Sequence, residues 1–104
     1  MEHPSTLTSM ANLASTYRNQ GRWKEADSLE VPVIETRKRV LGEEHPDTLT
    51  SMNNLAFTWK SQGRHGDAVA LMENCLQLRQ QILGPDHPHT ISTRSALNKW
   101  NEEK

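Results

Sequence analysis

Apolar residues recur at spacings of three and four along most of this chain, a rhythm that one face of a helix produces and a strand does not. Leu7, Met10, Leu13, Ala14 and Tyr17 form the first such stripe and predict a helix, α1, from Pro4 or Ser5 to Gln20. Proline is tolerated in a first turn, and serine or threonine supplies the cap. Gln20-Gly21-Arg22 then turns the chain into α2, expected from about Trp23 to Leu41, which buries Ala26, Leu29, Val33, Ile34, Val40 and Leu41. The same plan follows again. Leu49, Met52, Leu55, Ala56 and Trp59 face inward from the next first helix, α3, and Ala68, Leu71, Met72, Cys75, Leu76, Ile82 and Leu83 from its partner, α4. The last helix, α5, from about Pro88 to Asn101, keeps Ile91 and Leu97 but has Arg94 where Met52 stood, Asn98 for Ala56 and Asn101 for Trp59. That drift suits a terminal helix with one face in water.

The copying is close, with Ser5 for Asp47 and Ala11 for Asn53 as the differences in the segment that opens each full repeat. His45-Pro-Asp-Thr-Leu-Thr-Ser-Met-Asn-Asn-Leu-Ala56 matches the segment from His3 to Ala14, and a third copy starts at His87, so the period is 42 residues. A fixed period in this range marks a solenoid. Gly21, Gly42, Gly63 and Gly84 divide it in two, each ending an apolar-periodic segment where a positive φ costs glycine no Cβ clash. The expected architecture is all-α: five antiparallel helices forming one domain, residues 1–104, with a first repeat over 1–42, a second over 43–84 and a partial third over 85–104. Met1 stands at a repeat boundary and the chain ends where a second helix of the third repeat should follow, the pattern expected of a segment cut from a longer array.

Composition fits this picture. In a chain of 104 residues, 34% apolar residues and five aromatics are lean for a sphere-like core, but a stack need only bury stripes between neighbours. A net charge of −1 speaks against nucleic acid as a partner, since polyanion affinity comes from clustered cations. No apolar run reaches signal-peptide or membrane-span length, and the lone Cys75 makes no internal disulfide, so a soluble, cytoplasmic chain without a membrane partner is expected.

Candidate chemistry is sparse. His3, His45 and His87 sit one repeat apart, about 10 Å across stacked layers, whereas ligands to one ion lie within about 2.1 Å of it. They are expected to orient the turn before each first helix, with no metal. Arg37-Lys38-Arg39 precedes a helix C-terminus, where cations are favoured, and reads as a solvated helix end. Cys75 lies on the buried stripe of α4 and reads as inert packing. No glycine-rich phosphate loop exists, and neither a cofactor nor a catalytic residue is expected. Pro32 interrupts α2, removing the hydrogen bond to the Ser28 carbonyl at an interior cost of roughly 3 kcal/mol. It predicts a kink with the proline on the outer face, with a functional hinge as the alternative.

The chain resembles the tetratricopeptide repeat, in the 42-residue form of kinesin light chains and of C-terminal arrays in fungal NB-ARC proteins. The likeness rests on Leu41-Gly42-Glu43-Glu44-His45-Pro46 and Leu83-Gly84-Pro85-Asp86-His87-Pro88, on Asn12-Leu13-Ala14 with Tyr17 and Asn54-Leu55-Ala56 with Trp59, and on Gly21-Arg22 with Ala26 and Gly63-Arg64 with Ala68. Pro32, the polar α5, and Glu30 in place of an apolar residue depart from it. The resemblance implies a right-handed superhelix whose first helices line a concave, non-catalytic groove for a protein or peptide partner.

Carried over residue by residue, that groove falls on Asn12 and Arg18 in α1 and on Asn53, Asn54, Phe57 and Lys60 in α3. The asparagine amides either bridge a peptide backbone or tie neighbouring helices together. Phe57 either anchors a partner or packs against α5. The lysine and arginine places of the carboxylate clamp hold Ala11, Ser15, Ser95 and Ala96, so that subtype is not expected. Trp23 opens α2 where the second repeat has His65, and Trp100 either covers the apolar side of α4 or joins a second molecule. The alternative to a groove-binding module is a structural spacer or self-assembly segment of a longer array, such as the sensor array of a fungal NB-ARC signalling protein, forming homo-oligomers through open repeat ends.

Overall fold

The computed structural model describes residues 4–102, with side chains over 9–102. Five helices follow one another: α1 (Pro4–Asn19), α2 (Trp23–Val40), α3 (Pro46–Ser61), α4 (His65–Leu83) and α5 (Pro88–Glu102). Each packs mainly against its neighbours in sequence, α1 on α2, α2 on α3, α3 on α4 and α4 on α5. The expected all-α solenoid is what forms. Gly21, Gly42, Gly63 and Gly84 all have positive φ, between 77° and 97°, where an L side chain would be strained. His45 caps α3 by accepting the Asp47 N–H at Nδ1, and His87 does the same for the His89 N–H, each at 3.1 Å. His3 lies outside the described residues.

The core is continuous through the middle of the stack. Ile34, Leu49, Met52, Leu55 and Cys75 form one cluster, with Val31, Leu71 and Leu78 packed against it. Ala56, Ala68, Met72, Leu97 and Trp100 form a second. Trp59 touches both. Trp100 therefore covers α4, being only 5% exposed. Cys75 is fully buried, its thiol 3.5 Å from the Leu49 carbonyl, and burial pushes its ionisation up, so it packs as an inert small residue. Helix α2 runs unbroken through Pro32, which sits on the exposed side.

Several expected core positions are exposed instead, and their places explain why. Leu13 is 44% exposed where its counterpart Leu55 is 3%, because α3 has α2 stacked ahead of it and α1 has no described helix on that side. Ile91 is 45% exposed where Leu49 is 2%, because α3 is followed by α4 and α5 by no described helix. Val40, Leu41 and Ile82 end their helices at the rim and are 51%, 37% and 40% exposed. Leu7 lies outside the described side chains.

Candidate peptide-binding groove

The first helices of the repeats, α1, α3 and α5, carry the proposed groove, and the junctions beneath hold them in place. Asn12 is exposed, and Asn53 and Asn54 are partly buried. None of the three side-chain amides forms a hydrogen bond to another described residue; the contacts at Asn12 and Asn54 use their backbone carbonyls. Phe57 is 39% exposed and rests edge-to-face on Trp100, with ring centroids 5.1 Å apart. The alternatives offered for Phe57 are thus compatible: one face packs on α5 and the rest meets solvent. Lys60 is partly buried.

Arg18 is placed differently from a free groove cation. Its guanidinium donates to the Asn54 carbonyl at 3.2 Å and lies 3.9 Å from Glu30, so it ties α1 to α3 and leaves about a quarter of the side chain in solvent. Glu30, the residue that departs from the apolar pattern, is 7% exposed and accepts a 2.6 Å hydrogen bond from the Thr58 hydroxyl. A buried carboxylate needs such partners. One repeat later the same places hold Met72 and Trp100, so at this position the first junction is polar and the second apolar.

Sequence reasoning also missed an arginine clamp. Arg37 donates to the Ser51 hydroxyl at 2.5 Å and the Asp47 carbonyl at 3.4 Å, and Arg79 donates to the Thr93 hydroxyl at 2.7 Å and the His89 carbonyl at 3.5 Å. The reading of Arg37 as part of a solvated run is corrected: it fastens the first repeat to the second, as Arg79 fastens the second to α5. The signal was present, because Arg37 and Arg79 recur at the period together with the hydroxyls of Ser51 and Thr93. On the turn side, Arg22 stacks on Tyr17 and Arg64 on Trp59, both 4.5 Å from the ring centre, and Asp27 joins Arg64 to the Trp59 indole N–H. An open cleft of about 710 Å³ lies there, with Trp23 on its wall.

Comparison with known proteins decides the family. The model described as tetratricopeptide repeat matches residues 6–47 and 48–89, two segments of 42 residues each. The chain belongs to the tetratricopeptide repeat family. Among solved structures, this TPR chain is similar to a Podosopora anserina protein described as a kinesin light chain with nearly identical TPR-like repeats. The identity is 31% and the TM-score 0.86, over 99% of this chain and 49% of that one. A single-substitution variant of that protein matches at 31% identity and TM-score 0.85, over 97% and 48%. BtubC (BKLC) from P. vanneervenii shares the fold at 21% identity and TM-score 0.85, over 93% of this chain and 38% of that one. The TPR chain thus spans half or less of the solved chains it matches. No curated protein matches it.

Burial pushes the Glu30 carboxyl above its ordinary value of 4.5; the Thr58 hydrogen bond and the Arg18 guanidinium offset this in part, and Asp27 adds to it. A carboxyl that binds its proton more tightly when folded makes stability fall as pH rises from the ordinary carboxyl range through the raised value. Glu30→Gln, which mimics the protonated form, is therefore expected to gain on the parent chain between pH 4 and pH 7. Urea midpoints at the two pH values test this, and an unchanged gap contradicts it.

Proposed function

We propose that the chain is a non-catalytic protein-interaction module that holds a peptide segment of a partner against the first helices of its repeats. Asn12, Asn53, Asn54 and Phe57 meet the peptide, and Arg18 and Lys60 flank it. The observation that carries this is the state of α3: side-chain amides with no hydrogen-bond partner among the described residues stand next to an aromatic ring that is braced from behind by Trp100 and still 39% exposed. Amides that offer both donor and acceptor suit a peptide backbone, and a rigid, partly open ring suits an apolar side chain. Protein interaction is the general use of tetratricopeptide repeats. Among the described residues no helix is long and apolar enough to cross a membrane. The unit is residues 1–104 as two repeats and a partial third, in a cytoplasmic setting. The second reading, a spacer or self-assembly segment, has the exposed Leu13 in its favour.

Peptides selected against the intact chain from a displayed library provide the test. The double variant Asn54→Ala and Phe57→Ala is expected to weaken their binding about tenfold or more, the size of a hot-spot loss. Circular dichroism and melting confirm that the helices persist. Unchanged affinity in a folded double variant, or a library that yields no binder, overturns the groove reading.

A further inference from the structure

The fold joins a candidate groove residue to a buried acid. One guanidinium nitrogen of Arg18, Nη1, donates to the Asn54 carbonyl at 3.2 Å and stands 3.9 Å from Glu30 Oε2. The other two nitrogens, Nη2 and Nε, have no partner among the described residues, and about a quarter of the side chain meets solvent. Glu30 itself is out of reach of a partner. The crevice that it shares with Ala11, Val33, Ser51 and Asn54 holds only about 10 Å³, room for one water at most. Any influence of Glu30 on a bound partner therefore passes through Arg18.

The groups facing Glu30 are few. Arg18 comes from α1, Asp27 lies one turn earlier on α2, and α3 supplies the Thr58 hydroxyl and the Asn54 carbonyl, which do not titrate. Asp27 is itself engaged, 3.6 Å from Arg64 and accepting from the Trp59 indole. A charged carboxylate in this setting is costly without its cation, so it holds Arg18, and its charge subtracts from the pull of the guanidinium on any other anion. A neutral Glu30 can still accept from Thr58 through its carbonyl oxygen and makes no such demand on Arg18.

We infer that Glu30 is a proton gate on the groove: Arg18 is withheld from an anionic group of the partner while Glu30 is charged, and is released to it when Glu30 is neutral. The gate rests on the reading of Arg18 as a flank of the peptide groove and adds its regulation. Burial lifts the Glu30 carboxyl above its ordinary value of 4.5, which moves the transition toward neutral pH. By reciprocity, an anion on Arg18 draws a proton onto Glu30. The second repeat carries no copy of the device, since Met72, Trp100 and Lys60 occupy the places of Glu30, Thr58 and Arg18.

Sulfate tests this, because its charge does not change across the range. It is titrated into the intact 104-residue chain at about pH 5 and pH 7.5, at constant ionic strength, and followed by the Arg18 Nε–H resonance. The expected result is binding several-fold tighter at the lower pH. Glu30→Gln should bind at both pH values as the parent does at the lower one, with Glu30→Met as a second variant should the first fail to fold. Arg18→Gln, made in the Glu30→Gln chain so that no buried charge is left unpaired, should abolish the binding, read from backbone amide shifts of α1 and α3. Equal affinity of the parent at both pH values overturns the gate. So does a pH dependence that persists in Glu30→Gln, which assigns the effect to the histidines, and so does an Arg18 resonance that sulfate leaves unmoved. Gated sulfate in a chain that yields no peptide binder upholds the gate and sinks the groove alone. Peptide binders with ungated sulfate sink the gate alone.

Discussion

Trp100→Ala is expected to cost about 3–5 kcal/mol, the range for removing a buried tryptophan, and to release α5 from the stack before the rest unfolds. The indole is 5% exposed, shares a cluster with Ala56, Ala68, Met72 and Leu97, and supports the Phe57 ring edge-to-face. Helix α5 has no described helix beyond it, so its docking rests on this cluster and on the Arg79 clamp. A loss of that size therefore falls on one helix. Hydrogen exchange resolves the distribution: α5 should lose protection first, while α2 and α3 keep theirs. Equal loss across all five helices, or a cost below about 1 kcal/mol, contradicts the assignment. Trp100→Phe should recover most of the loss, because the site needs an aromatic volume beside Phe57 more than an N–H donor.

Arg79→Ala is the second large effect, expected at about 2 kcal/mol. Hydrogen bonds from a charged donor contribute about 1.5–3 kcal/mol each. Arg79 makes one good one, to Thr93, and a longer one to His89, from a side chain that is 6% exposed. Against this stands the desolvation of the guanidinium, which has no carboxylate among its hydrogen-bond partners. Two comparisons separate these contributions. Arg79→Met keeps the volume of the aliphatic stem and loses the hydrogen bonds, so its gain over Arg79→Ala measures packing. Arg37→Ala removes the same clamp where it is only partly buried and should cost less. Denaturant unfolding of the three variants gives the order, and Arg37→Ala exceeding Arg79→Ala would refute the link between burial and cost.

Residues that act within their own helix could be read from the chain alone. The stripes placed α1, α2 and α5 to within a residue or two and ordered α3 and α4 between them, and the glycines and the capping histidines needed only local geometry. Exposure of Leu13 and Ile91 was not legible, because each has a buried counterpart one repeat away and differs from it only in what stacks beside it. Arg37 was misjudged for a related reason: three cations at a helix end are usually solvated, and its partner Ser51 lies on the next helix. Glu30 looked like a lapse in an apolar stripe. Its meaning depends on Thr58, 28 residues away, and on Arg18 behind it. The groove residues were legible only as positions on a face, since the lack of partners for the asparagine amides among the described residues and the bracing of Phe57 emerge from three-dimensional neighbours.

Because each helix packs chiefly on the one before and the one after, the chain closes only short loops as it folds. Loop closure of that kind costs little entropy, and topologies of such local contacts fold in microseconds to milliseconds. Helices α3 and α4 are flanked on both sides and hold most of the buried apolar residues, so their amide protection should outlast that of α1 and α5. The α5 end is held largely by water released from apolar surface. The junction toward α1 encloses a buried carboxylate and its guanidinium, so its hold on the stack weakens as pH rises through the raised range of Glu30.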